Sequence, residues 1–236
     1  MFDIIKETLF FASSWVLPAL LAITMHEAAH AFTAYKLGDL TAKMMGRVSL
    51  NPIRHIDLVG TIILPALLLI FQAPFLFGFA KPVPVNFGNL HSPKRDMAIV
   101  AAAGPGINFL QAAIAALCLK YLILGYAETE SEPALEWLLL NFLNAIEINL
   151  ALAVFNLLPF PPLDGGRIMV GILPNPLAIK LARVEEKGIL ILLGLMFIVP
   201  AVASMLGFNF NPIAIVLGPI FNWFRDLFFN LAGVGI

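Results

Sequence analysis

The sequence predicts an all-α polytopic membrane protein with five to six transmembrane helices and a short re-entrant or β-like element near residues 58–92. Three observations carry this. Of 236 residues, 60% are hydrophobic and 12% charged, about half the charge density of an ordinary soluble domain. Mean hydropathy is +0.92. Several apolar runs reach the length of about 20 helical residues that a hydrocarbon core requires.

Six apolar segments follow one another. The first runs from about Leu9 to Leu37. Ahead of it, Met1–Leu9 holds Asp3, Lys6 and Glu7 instead of the basic start and cleavage site of a signal peptide, so the segment is expected to be retained. The second, Leu58–Phe77, is broken by Pro65 and Pro74 and contains Gln72. The third, about Met97–Leu124, carries Gly104-Pro105-Gly106 near its start. The fourth is about Ala134–Leu158, the fifth about Gly188–Leu206 and the sixth about Pro212–Leu231. No repeat or long linker divides them, so residues 1–236 read as a single integral membrane domain.

Loop charge orients these segments, because cytoplasmic loops carry excess Lys and Arg. Residues 36–57 contain Lys36, Lys43, Arg47 and Arg54; 78–96 contain Lys81, Lys94 and Arg95; 164–187 contain Arg167, Lys180, Arg183 and Lys187. Residues 125–136 contain Glu128, Glu130, Glu132 and Glu136 and no basic residue. The first three stretches read as cytoplasmic and the last as external, which places the N-terminus outside. Both flanks of Leu58–Phe77 are then cytoplasmic, so this segment is expected to form a re-entrant or interfacial hairpin, leaving five crossings. A full crossing is the competing reading and would put a basic loop on the wrong side. Net charge is −1, which gives no basis for nucleic-acid binding. The single cysteine, Cys118, excludes a disulfide within the chain.

The first segment contains His26-Glu27-Ala28-Ala29-His30. Residues four apart share a helix face, so His26 and His30 can offer two imidazoles to one metal ion, with Glu27 beside them to act on a metal-bound water. Such a run occurs by chance on soluble helices as surface polarity. Inside an apolar helix that origin fails, because charge there is costly. Lys36 lies six residues beyond His30, about 9 Å of helix, which puts the site in the bilayer near its cytoplasmic face.

A hydrolytic zinc site takes three protein ligands and leaves one position open. The candidates for the third are His55, His91, Glu147 and Asp164. Asp164 is preferred. It ends the run Asn156-Leu157-Leu158-Pro159-Phe160-Pro161-Pro162-Leu163-Asp164-Gly165-Gly166, at the same end of the fourth segment as His30 is of the first. The prolines keep that run out of helix and the glycines allow close backbone approach. Against this stands the ordinary reading of Asp-Gly-Gly as a turn. His55 and His91 lie among basic and turn residues and read as solvated loop histidines. Glu147 falls in a stripe with Asn141 and Asn144 that should face the bundle interior, where its expected role is an interhelical hydrogen bond.

Three further features point to substrate. Asn108, after Gly104-Pro105-Gly106, is either a packing and capping residue or a direct contact. Asn156, eight residues before Asp164, can donate to a developing oxyanion. Lys81-Pro82-Val83-Pro84-Val85-Asn86 is held extended by its prolines. It is either an ordinary loop or an edge on which a peptide adds as a strand, through Val83, Val85 and Asn86.

With these motifs in hand, the chain resembles the site-2 proteases, a family of intramembrane zinc metalloproteases, over roughly Leu9 to Met169. The family's first motif corresponds to His26-Glu27-Ala28-Ala29-His30. Its NxxPxxxLDG motif corresponds to Asn156, Pro159, Leu163, Asp164 and Gly165, and its GPxxN-like element to Gly104, Pro105 and Asn108. Gly46-Arg47-Val48-Ser49-Leu50-Asn51-Pro52 and Lys81–Asn86 look like a compact bacterial branch without PDZ or CBS domain.

The resemblance implies a metalloprotease domain with its catalytic core at about 9–170. It implies one catalytic Zn2+ held by His26, His30 and Asp164, Glu27 as general base, and Asn156 stabilising the oxyanion or the unwound substrate. The implied substrate is a transmembrane protein in the lipid bilayer of the cell membrane, cleaved by regulated intramembrane proteolysis. Two other classes remain open on the residues alone. One is a membrane metal transporter or metal-binding protein using His26, His30 and Glu147; the other is a silent scaffold that binds helices. A transporter needs polar residues along a path to both faces, whereas here they cluster at one. A scaffold has no use for Glu27.

Overall fold

Five helices long and apolar enough to cross a membrane organise the computed structural model, among the residues it describes: 2–63, 67, 81–126 and 132–234. They belong to α1 (Phe2–Lys36), α2 (Pro93–Tyr126), α3 (Pro133–Asn156), α6 (Glu185–Met205) and α7 (Pro212–Ala232). Two shorter helices, α4 (Asp164–Ile172) and α5 (Asn175–Ala182), connect α3 to α6. Five of the six apolar segments are thus spans, each starting or ending within a few residues of its expected place. The exception at the boundaries is α2, which begins at Pro93, so that Gly104-Pro105 lies well inside it.

Of the segment Leu58–Phe77, the structure describes a π-helical turn at Leu58–Ile63 and Leu67; Pro65, Gln72 and Pro74, and the choice between hairpin and crossing, lie outside the described residues. Among the described residues there is no strand, and 81–86 has no regular secondary structure. Pro82 and Pro84 lack the N–H groups a ladder needs.

Small residues set the packing. α1, α2 and α3 lie against one another and α4 against α2. Their contacts are lined by fully buried Ala22, Ala31 and Ala34 of α1, Ala112 and Ala116 of α2 and Ala153 of α3. With lipid on the outside, apolar side chains gain little by leaving it, so close backbone approach is what favours association. A second cluster joins α2, α3 and α7 through Leu119, Ile146, Leu150 and Phe229, with Phe109 and Phe224 rings 4.7 Å apart. Large apolar side chains on the outer faces, such as Leu110, Ile114, Leu190 and Trp223, are exposed and suited to lipid. Within α6 the hydrogen-bond register widens to a π turn at Gly194–Ile198, just before Pro200, whose missing N–H breaks the regular ladder.

The polar stripe of α3 faces inward as expected. Asn141 and Asn144 are buried, and Asn144 Nδ2 donates to Ser14 Oγ of α1 at 2.8 Å. Glu147 is half-buried and has no hydrogen-bond partner among the described residues; the charge it senses is Arg225 of α7.

Candidate metal centre

Helix α1 turns His26 and His30 the same way, as their four-residue spacing requires. The opposing face of α2 is built on the same period. Val100, Gly104 and Asn108 are four apart and all three meet the imidazoles. His26 Nδ1 lies 2.6 Å from Asn108 Oδ1, and His30 Nδ1 lies 2.8 Å from the Val100 carbonyl. Between them, a Cβ placed on Gly104 would come within 2.4 Å of His30 Nε2 and 2.6 Å of His26 Cε1, so no larger residue fits.

The hydrogen bonds place a proton on Nδ1 of both rings. Asn149 Nδ2 donates to the Ala145 carbonyl at 2.9 Å, so its Oδ1 is the group that accepts from Asn108 Nδ2 at 2.7 Å. Asn108 Nδ2 also approaches the Ala22 carbonyl at 3.2 Å. Its Oδ1 is therefore the atom facing His26, whose Nδ1 must carry the proton. The Val100 carbonyl imposes the same tautomer on His30. In its neutral form each ring thus directs an Nε2 lone pair away from its support, the arrangement that orients metal-binding histidines.

Those lone pairs converge with Asp164. The two Nε2 atoms are 3.0 Å apart, and Asp164 Oδ2 lies 3.2 Å from His26 Nε2 and 3.3 Å from His30 Nε2. Ligands about 2.0–2.1 Å from a tetrahedral zinc lie about 3.3–3.4 Å from each other, so the spacing fits that ion. Asp164 Oδ2 is buried, and with both Nδ1–H groups committed, neutral imidazoles have no proton to give it. Three converging acceptors call for a cation, and among the described residues this is the one His/Cys/Asp/Glu group spaced to hold one.

Asp164 is placed by its neighbours. It opens α4, and its two following glycines press that helix onto the preceding loop. A Cβ on Gly165 would lie 2.3 Å from the Leu157 carbonyl oxygen, and one on Gly166 2.2 Å from Pro161 N. The Asp-Gly-Gly run is therefore a helix start packed flush on backbone.

Glu27 points elsewhere. Its Oε2 accepts the Val83 N–H at 2.9 Å, which brings the segment 81–86 beside the candidate centre. Val85 packs with Ala34, Leu90 and Val100, and the Asn86 N–H donates to Asp39 Oδ2 at 2.8 Å. Asn108 is fully buried, and the contacts it makes are those supporting His26. Asn156 Nδ2 donates to the Leu152 carbonyl of its own helix at 2.9 Å. His91 is exposed, as a loop histidine should be, but His55 is not. It is 1% exposed, because its Nε2 donates to the Ser49 carbonyl at 2.8 Å and its own carbonyl accepts the Lys81 N–H.

Two residues at the centre's margin have only weak sequence signals. Asp39 is buried and gathers Thr41 N, Thr41 Oγ1, Asn89 Nδ2 and Asn86 N; the Asp-x-Thr spacing after Gly38 is the sign of such a turn. Arg47, counted above with the cytoplasmic loop cations, is 6% exposed.

The sequence is similar to known proteins. Residues 122–201 match the profile of peptidase family M50. Over 217 residues, 92% of this chain and 89% of the relative, the sequence is 39% identical to "Putative zinc metalloprotease YwhC" of Bacillus subtilis (strain 168). Over 149 residues, 62% of this chain and 52% of the relative, it is 32% identical to "Putative zinc metalloprotease Rip2" of Mycolicibacterium smegmatis. No solved structure matches the chain. The chain therefore belongs to peptidase family M50, the site-2 proteases, and is a metalloprotease with several membrane-spanning helices.

Proposed function

We propose that this metalloprotease hydrolyses a peptide bond within or beside the transmembrane helix of another membrane protein, in the manner of regulated intramembrane proteolysis. One zinc is held by His26, His30 and Asp164. The observation that carries this reading is the convergence of three unprotonated acceptor atoms, within 3.3 Å of one another, beside Glu27. Bound there, zinc supplies a Lewis acid for the scissile carbonyl and lowers the pKa of a water to about 7.

The protein's own groups do the rest. Glu27 removes a proton from the attacking water, and the same carboxyl then delivers it to the leaving amine nitrogen. Its Oε2 is engaged by the Val83 N–H, so Oε1 is the oxygen free to hold the proton. Asn108, Asn149 and the Val100 carbonyl keep both imidazoles in one tautomer through the cycle. The substrate must enter unwound, because a helical carbonyl is already hydrogen-bonded and shielded. Val83, Val85 and Asn86 offer extended backbone on which such a segment can align, and Asn156 donates to the oxyanion once its side chain leaves the Leu152 carbonyl. The N-terminus lies outside and the site opens toward the cytoplasm, as the basic stretches 36–57 and 164–187 require.

The test uses the purified chain in liposomes with a panel of single-span substrates. Cleavage should occur, stop on chelation and return with zinc. Glu27→Gln should keep its zinc and lose at least about 1,000-fold in rate, the scale of a general base and its geometry. Zinc binding with no cleavage of any substrate, or a fully active Glu27→Gln protein, would sink the proposal.

A further inference from the structure

The stretch Gly46–Pro52 plays no part in the chemistry above, yet it is folded tightly. Gly46 takes the left-handed conformation, φ +65°, and Arg54 Nη1 donates to its carbonyl at 2.7 Å. Asn51 caps the turn Pro52–Arg54 through Ile53 N, and His55 Nε2 donates to the Ser49 carbonyl. Residues 46–55 thus close into a hoop, and the hoop grips the chain at 81–82. The His55 carbonyl accepts the Lys81 N–H at 3.0 Å. Arg47 Nη2 donates to the Lys81 carbonyl and, at 3.4 Å, approaches the Pro82 carbonyl.

The guanidinium of Arg47 is buried, and among the described residues no carboxylate pairs with it. Burying an unpaired charge is costly unless hydrogen bonds compensate, and its compensation is spent on these two carbonyls. The next residue, Val83, is the one whose N–H meets Glu27. In extended chain, residues two apart present their N–H and C=O to the same side. Among the described residues the Val85 N–H, two residues on, has no partner. Pro82 and Pro84, on the alternate side, have no N–H to offer. A segment laid on the 83–85 edge runs past Glu27, and a slip of one residue moves it about 3.3 Å.

We infer that Arg47 is a positioning residue for proteolysis: it anchors Lys81 and Pro82 so that the 83–85 edge presents one particular peptide bond of the substrate to Glu27. The inference rests on the proteolytic function proposed above.

The experiment maps cleavage products by mass spectrometry, using the full chain in liposomes and a single-span substrate that the unaltered protein cuts. Arg47→Met should bind zinc normally, cut at least about 10-fold more slowly, and spread its cuts over bonds one or two residues from the original. Arg47→Lys, which keeps the charge but not the paired donors, should recover part of the rate and of the original bond's share. Should Arg47→Met fail to fold, Arg47→Lys alone decides, through the same spread of products. Cutting confined to the original bond in the folded variants, at whatever rate, overturns the inference and leaves proteolysis standing. An unaltered protein that cuts nothing overturns the function itself.

Discussion

His26, Glu27 and His30 are neighbours in sequence, but they are held by two different kinds of structure. The imidazoles are locked by a helix: the Val100 carbonyl, Gly104 and the Asn108 amide, on one face of α2. Glu27 is met by a loop, the segment 81–86, tied down through Arg47, His55 and Asp39. On the function proposed above, metal binding depends on how closely two helices approach, and the placing of substrate on a handful of loop hydrogen bonds. Mutations in the loop half should therefore separate cleavage from zinc affinity.

Gly104→Ala is the most damaging change to the helical half. Its methyl would fall 2.4 Å from His30 Nε2, and α2 cannot retreat without giving up the support of both rings. Zinc affinity measured against a chelator series should fall more than about 100-fold, and cleavage with it. Asn108→Ala should weaken zinc by about 10- to 100-fold through the loss of the bond to His26. It should also lower thermal stability by about 1–3 kcal/mol, because Asn149 Oδ1 loses its donor. Either variant retaining full zinc affinity would refute the role given to α2.

The loop half is probed by Asp39→Asn. Zinc affinity should not change, while cleavage should fall about 10-fold, the equivalent of about 1.4 kcal/mol and close to the value of one charged hydrogen bond. Burial opposes the charge of Asp39, but the donors Thr41, Asn86 and Asn89 outweigh it and hold its carboxyl below the usual range. A carboxylate with a lowered folded pKa contributes stability above its unfolded value, about 3.9, and loses it as pH falls through the folded value. Hydrogen exchange of 81–89 should therefore accelerate below about pH 4 in the unaltered protein. That acid step should be missing in Asp39→Asn. Arg167→Gln should do least. It breaks a part-exposed pair with Glu185, 2.8 Å apart, that joins α4 to α6. The melting transition should shift by under about 1 kcal/mol, with zinc and cleavage unaffected.

Much of this molecule can be read from its residues in order. The spans follow from runs of apolar side chains longer than a bilayer is thick, and the histidine pair from a spacing that any helix converts into a shared face. Asp164 could be singled out because a carboxylate after a proline-rich run, at the right end of a span, suits a cation. These are local properties, carried by neighbours in the chain.

The supports of the centre are not local. The carbonyl of Val100 has no signature, since every residue has a carbonyl. The small residues around Gly104 indicate close packing without naming the imidazoles they pack against. Arg47 and His55 look like solvated loop residues in a charge count, and both are buried, because charge and sequence neighbours do not report what folds over a side chain. Which carbonyl meets which imidazole, and which loop meets Glu27, depends on contacts between residues up to 86 positions apart, and those exist once the helices have packed.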